Sequence, residues 1–387
     1  MKCMKKIFVF SFILLAWACR EKYVPKLNEP VTGYLVVEGF INSANGPTSI
    51  NLSRSTKLSN AATIVKESKA TIRVENKDNT ATFPLTETSP GTYTNPQLML
   101  NAADQYRLYI KTAAGKEYVS EYSTVRKTPD IDSVSWRIEN SGVQIYANTH
   151  DNTANTKFYQ FKYDETWEFT SRYPTQLKLY NDRNGTPHHV GYRDSTNPVY
   201  DQKLFRCWKT NAPTNILLFS TEKQTQDVVS LYPLTYIEPA SWKLGIRYSI
   251  ILKQYALSQQ GYRFLEQLKK NTEQLGSIFD AQPSGNNGNL HCLSNPDEPV
   301  IGFVEVSEEK QKRIFITAAE IPNWGYVNQC QDQIEVRNIP DSVQITHGLP
   351  TTVSRGGFSG LDWVYFAPAE CVDCTLRGVN IKPSFWP

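Results

Sequence analysis

Between residues 33 and 125 apolar and polar positions alternate in short runs separated by turn-forming residues. Segments 34–41 (YLVVEGFI), 48–55, 70–75, 80–87, 92–98, 106–112 and 117–125 each carry the two-residue period of a half-buried strand. Between them lie Asn45-Gly46-Pro47, Lys77-Asp78-Asn79, Ser89-Pro90-Gly91 and Ala114-Gly115, residues that supply tight turns. Seven strands at this spacing, with no helical period among them, predict an immunoglobulin-like β-sandwich over 33–128; a jelly-roll fragment is the alternative. Thr128-Pro129-Asp130 marks the expected boundary.

Residues 129–387 predict a larger β-rich domain with one helix. Its strand candidates are 134–139, 143–148, 158–170, 177–180, 204–208, 215–220, 228–237, 244–255, 300–306 and 313–318. At 258–275 the period changes to that of a helix: Tyr262, Leu265, Leu268 and Leu275 recur on one face, Ser258 is placed to cap the start, and Gly276 the end. Pro283 to Asn289 reads as a loop whose Ser284, Asn286 and Asn287 are candidate partner contacts. Residues 323–387, rich in Pro, Gly and Cys, are expected to wrap over the body without forming a third unit.

The start of the chain has a different pattern. Met1 to Lys6 is cationic, Ile7 to Ala18 is apolar, and Cys19 follows. Twelve residues of helix span roughly 18 Å, well short of a bilayer core of about 30 Å, so residues 1–18 read as a signal peptide. Leu14-Leu15-Ala16-Trp17-Ala18-Cys19 looks like a lipobox, which would make Cys19 the lipidated first mature residue and 19–32 a polar tether.

Charge and composition narrow the function. Apolar residues make up 40% of the chain, enough for packed cores and too many for a disordered protein. Lys and Arg number 41 against 38 Asp and Glu, but Lys2, Lys5 and Lys6 precede Cys19 and no acidic residue does, so the remainder is balanced. A balanced surface lacks the field that nucleic-acid binding requires. HExxH, P-loop, GxSxG and dinucleotide-binding patterns are absent. His188-His189 cannot chelate from one strand, because neighbouring side chains point to opposite faces. Asp164, Glu165 and Glu168 read as a solvated strand face. No catalytic residue, metal site or cofactor is expected. Cys207, Cys292, Cys330, Cys371 and Cys374 are candidate disulfide residues given the secretory start, with a bridge from Cys330 to Cys371 or Cys374 favoured over a redox or zinc role for the CxxC spacing. Trp136, Trp167, Tyr173 and Trp208 either fill the core or line a pocket.

Several segments taken together carry a resemblance. Arg247-Tyr248-Ser249 through Lys253-Gln254-Tyr255, Gly276-Ser277-Ile278-Phe279 with Gln282-Pro283, Leu35-Val36-Val37-Glu38-Gly39, Cys371-x-Asp373-Cys374 and Lys382-Pro383-x-Phe385-Trp386 resemble the Bacteroidota lipoproteins grouped as domain of unknown function 4249. The resemblance implies an outer-membrane lipoprotein of unassigned activity, encoded beside TonB-dependent receptors, and it assigns no catalytic residue. The expected role is therefore an accessory or ligand-presenting partner of a TonB-dependent transporter; the alternative is a structural or adhesive envelope protein that binds only other proteins. Surface export of such lipoproteins often follows an acidic patch after the lipidated cysteine. Arg20-Glu21-Lys22 departs from it, which leaves either side of the outer membrane open.

Overall fold

The computed structural model describes residues 33–56, 64–78, 80–194, 201–273, 288–330, 332–356 and 360–387. The expected signal peptide and Cys19 tether, together with Ser284, Asn286 and Asn287, lie outside the described residues. The protein is mainly β. No helix among the described residues is long and apolar enough to cross a membrane.

Alternation in the first region produces the strands Leu35–Asn42, Thr48–Arg54, Thr71–Asn76, Thr82–Ser89, Thr92–Asn95, Gln105–Lys111 and Glu117–Ser120. The expected strand at 117–125 is interrupted after Ser120, and Ser123–Thr124 pairs separately with Gln105 and Tyr106. The hydrogen-bonded path folds over at Thr82–Ser89. Thr82 to Leu85 pairs with Thr71–Asn76, whereas Thr86 to Ser89 pairs with Thr92–Asn95. Leu35, Val37, Ile50 and Leu52 then meet Ile72, Val74, Leu108 and Ile110 in one buried cluster, a sandwich-like arrangement.

This sandwich is not built from 33–128 alone. Leu290–Cys292 adds to Glu117–Ser120, and Val300–Gly302 and Val306–Ser307 pair in parallel with Leu35–Asn42. The boundary expected at residue 128 therefore does not confine the first unit. Periodicity identifies a strand but carries no information on a partner 265 residues away, as Val300 is from Leu35.

The second sandwich packs Ile131–Glu139, Gly142–His150 and Val228–Ile237 against a sheet ordered Arg206–Asn211, Phe158–Thr170, Arg247–Ala256 and Lys310–Thr317, with Leu217–Ser220 also on Phe158–Thr170. Val143, Ile145 and Ala147 from the smaller sheet share a core with Phe161, Tyr163, Ile250 and Leu252 from the larger. The segment expected as a strand at 204–208 begins as the helical turn Gln202–Phe205, because Asp201 accepts from the Lys203 amide and caps it.

Residues 323–387 divide in two. Ile334–Arg337, Trp363–Ala367 and Leu349–Arg355 form a sheet of their own, whose Val336, Val364 and Phe366 pack on Leu177 and Val190 of the hairpin Leu177–Asn181/Pro187–Tyr192. The expectation of a wrap without a third unit is corrected at this point. Trp324 and Tyr326 pack on the second core, and the stretch 374–387 crosses the body. It runs over the edge strand Arg206–Asn211, where Trp208 and Val379 exchange backbone hydrogen bonds of 2.8 Å. Covering an edge strand in this way removes a template for association.

Where the sandwiches meet, the helix Gln259–Glu273 starts over a buried carboxylate. Ser258 Oγ accepts from the Gly261 amide at 2.9 Å, and Glu305, 3% exposed, accepts from the Ser258 amide at 3.0 Å. A Cβ at position 261 would stand 2.3 Å from Glu305 Oε2, so only glycine allows this approach. The deepest helix residues are Gly261 and Phe264, while Tyr262, Leu265 and Leu268 are half-buried. Burial raises the Glu305 carboxyl above its ordinary value, opposed by the Ser258 amide and the Arg126 guanidinium at 3.5 Å.

A carboxyl whose folded pKa is raised gives a stability contribution that is complete below its unfolded value of 4.5 and is lost as pH rises through the folded value. The stability of the wild type relative to Glu305→Gln is therefore expected to fall between pH 4 and pH 8. Paired urea denaturations at the two pH values check this, and a pH-independent difference would exclude the assignment.

Candidate functional site

The strand Phe158–Thr170 is buried on both faces from Glu165 to Phe169. The solvated face expected for Asp164, Glu165 and Glu168 is therefore corrected: Glu165 is 1% and Glu168 6% exposed, and only Asp164, paired with Lys253 Nζ at 2.7 Å, is half-buried. The polar residues along this strand face partners brought by distant chain segments.

Glu165 is held by three such partners. Lys243 Nζ donates to both carboxylate oxygens at 2.9 and 2.8 Å, the Tyr248 hydroxyl donates at 2.8 Å, and Asn211 Nδ2 donates at 3.2 Å. Burial and the Glu165 charge together push the Tyr248 hydroxyl well above its ordinary value, so it remains a donor.

Lys243 reaches inward from a short turn, Trp242–Leu244, capped by Ser241. Leu244 is fully buried in the core. Trp242 lies over Trp167 and Phe169 with edge contacts of 5.3 and 4.9 Å between ring centres. Trp324 Nε1 donates to the Ser241 carbonyl at 2.8 Å and ties the turn to the segment that follows Lys310–Thr317. Tyr326 then packs on Gly245, where a Cβ would stand 2.6 Å from the Tyr326 ring. Ala240, just ahead of the turn, has φ 56°, a left-handed conformation that costs a non-glycine residue about 1–2 kcal/mol.

These elements border an open cavity of about 460 Å³ between the turn at 240–242 and the segments 326–330 and 368–377. Its walls are Trp242, Tyr326, Arg377, Asn328, Gln329 and the Cys330–Cys371 disulfide. The Arg377 guanidinium lies 5.2 Å from the Phe169 ring centre and 5.9 Å from that of Trp242. Burial pushes the Tyr326 hydroxyl up from its ordinary value, and the Arg377 charge opposes the shift. A second cavity of about 360 Å³ surrounds Glu168, which pairs with Arg206 at 3.1 Å and accepts from Trp386 Nε1 at 3.1 Å.

Among the described residues Cys207–Cys374 and Cys330–Cys371 are the two disulfides, so the two cysteines of the CxxC spacing bond to different partners. Cys292 is a buried thiol in the first core. Cys207–Cys374 closes 167 residues, a loop for which chain-entropy arguments give stabilisation of about 3–5 kcal/mol. The Cys330–Cys371 bridge forms part of the wall of the larger cavity.

None of the four aromatic candidates lines that cavity. Trp167 lies one layer beneath Trp242; Trp208, 6% exposed, borders the second cavity. Tyr173 packs against Cys371 and Val372, and Trp136 is half-buried against the second core. Trp242, Tyr326 and Arg377 are absent from the sequence expectations. The available signal was Glu238-Pro239-Ala240-Ser241, a turn sequence that interrupts two strong strands directly before a tryptophan. Among the described residues, no group of three or more His, Cys, Asp or Glu is arranged to hold a metal ion. His189 stacks instead on Tyr180, with ring centres 5.1 Å apart.

The sequence model of a domain of unknown function, DUF4249, matches residues 20–313, most of the chain. The chain belongs to the DUF4249 family. No curated protein matches it. The DUF4249 match includes Ser241 and Trp242 but ends before Tyr326, Cys330, Cys371 and Arg377, so the larger cavity combines family-model residues with the segment beyond.

Removing Lys243 would leave Glu165 with its charge buried and its main counter-ion gone, a change worth roughly 3–5 kcal/mol. Lys243→Met is expected to destabilise by that order, and Glu165→Gln/Lys243→Met to recover most of the loss. Equilibrium denaturation of the single and double variants measures both.

Proposed function

We propose that this DUF4249 protein is a lipoprotein of the outer membrane, anchored through Cys19, that captures or presents a ligand as the accessory partner of a TonB-dependent transporter and has no catalytic activity of its own. The observation that carries the reading is the larger cavity. A concave site with an aromatic wall and convergent polar groups is the form of a small-ligand site, whereas an assembly surface is broad and flat. The strained Ala240 and the Cys330–Cys371 disulfide on its lining support this, since backbone strain gathers where a site must be held in one shape. The cationic start, apolar run and Cys19 support the anchor.

A second reading, an adhesive or structural envelope protein that binds only other proteins, is favoured by Leu376, Val379 and Ile381, which stand 60%, 58% and 74% exposed along the tail.

Lipid at about 0.8 kcal/mol per buried methylene makes a durable anchor when several chains insert. Cys19→Ala is therefore expected to move the protein from the membrane fraction to the soluble fraction, and retention after a high-salt wash would overturn the anchor. Affinity purification of the tagged protein from detergent-solubilised outer membrane is expected to recover a TonB-dependent transporter. Recovery of other envelope proteins without a transporter, unaffected by Trp242→Ala, would favour the second reading.

A further inference from the structure

The larger cavity is polar and aromatic on one side, and its lining carries one guanidinium and one carboxylate that make no ion pair with each other. Arg377 has no carboxylate within 4.0 Å among the described residues; one guanidinium nitrogen reaches the Thr170 carbonyl at 3.5 Å, and its Nε is buried without a hydrogen-bond partner. Lys209, also without an ion-pair partner among the described residues, places its Nζ 5.4 Å from the Trp242 ring centre. One indole thus has two cations near its ring, Arg377 on the cavity lining and the exposed Lys209 off it. Glu370 is the one acid on the cavity lining, and it stands exposed. The second cavity differs in this respect. Its Arg206 is paired with Glu168, and its Arg247 donates to the Pro387 carbonyl at 3.5 Å.

We propose that the cavity bordered by Trp242, Tyr326 and Arg377 binds an acidic saccharide, a sugar ring bearing a carboxylate. The inference rests on the reading of this cavity as a ligand site and names what fills it. Three demands fix the class. Trp242 offers a flat apolar surface, which the C–H face of a sugar ring covers. Asn328 and Gln329 offer amides with no side-chain hydrogen bond to the rest of the protein among the described residues, which match ring hydroxyls. Arg377, half-buried with its Nε unpartnered, calls for a negative charge, and a guanidinium donates two parallel hydrogen bonds to a carboxylate. A neutral sugar meets the first two demands and leaves the guanidinium uncompensated. A simple aromatic acid meets the first and third and leaves the amides unsatisfied.

Titration calorimetry of the mature protein with trigalacturonate and with the matched neutral galactotriose tests this. Trigalacturonate is expected to bind at least tenfold more tightly, with an affinity that falls as salt is raised. Lys209→Gln, an exposed change that removes no buried contact, is expected to weaken trigalacturonate two- to fivefold and leave galactotriose unchanged. Arg377→Lys is expected to weaken trigalacturonate at least tenfold, because a single ammonium cannot replace the fork. Equal binding of the two sugars, insensitive to Lys209→Gln, would overturn the acidic class while leaving the ligand site intact. Binding of neither sugar, with Trp242→Ala likewise silent, would overturn both.

Discussion

A carboxylate buried under tryptophan must be answered by a cation, and Glu165 is answered by Lys243. That single requirement organises the region around it. Lys243 can reach inward only if the chain between two long strands tightens into the turn Trp242–Leu244, and the turn then presents Trp242 outward. Trp324 fastens the same turn from the other side, which brings Tyr326 against Gly245 and carries the chain toward Cys330. The cavity is thus a by-product of neutralising one buried charge, with the Cys330–Cys371 disulfide fixing part of its wall.

The segments legible in the sequence are those whose environment is periodic. Phe158–Thr170 and Val228–Ile237 run between the residues that the alternation marks, because each has turn residues at both ends and apolar neighbours throughout. The helix is legible for the same reason, from a change of period and a serine cap. Illegible were features set by distant neighbours. Glu165 and Glu168 look like surface residues until Lys243, Tyr248, Arg206 and Trp386 are brought to them from 38 to 218 positions away. The third sheet was missed because Ile334–Arg337 and Trp363–Ala367 are short strands in a Pro- and Gly-rich stretch, where turn residues dominate the pattern.

The aromatic candidates show the same division. Tryptophans inside strong strands, Trp167 and Trp208, were the conspicuous ones, and they serve as packing. The residues that border the larger cavity come from a turn and from coil, where no periodicity draws attention to them. A ligand site held on connections between rigid sheets is the usual division of labour in β-rich proteins.

The return of residues 290–307 to the first sandwich has a consequence for how the chain is made. Synthesis runs from one end to the other, so Leu35–Asn42 and Glu117–Ser120 emerge long before the strands that complete their edges. Throughout that interval both edges present unpaired backbone groups, the template on which extended chains associate. The second sandwich waits as well, because Lys310–Thr317 is the last of its strands to appear. Neither half can therefore be finished first and set aside. The nascent protein stays open until about residue 317 is available, then closes both units nearly together, and a chaperone that shields bare strand edges would act on it for most of its passage.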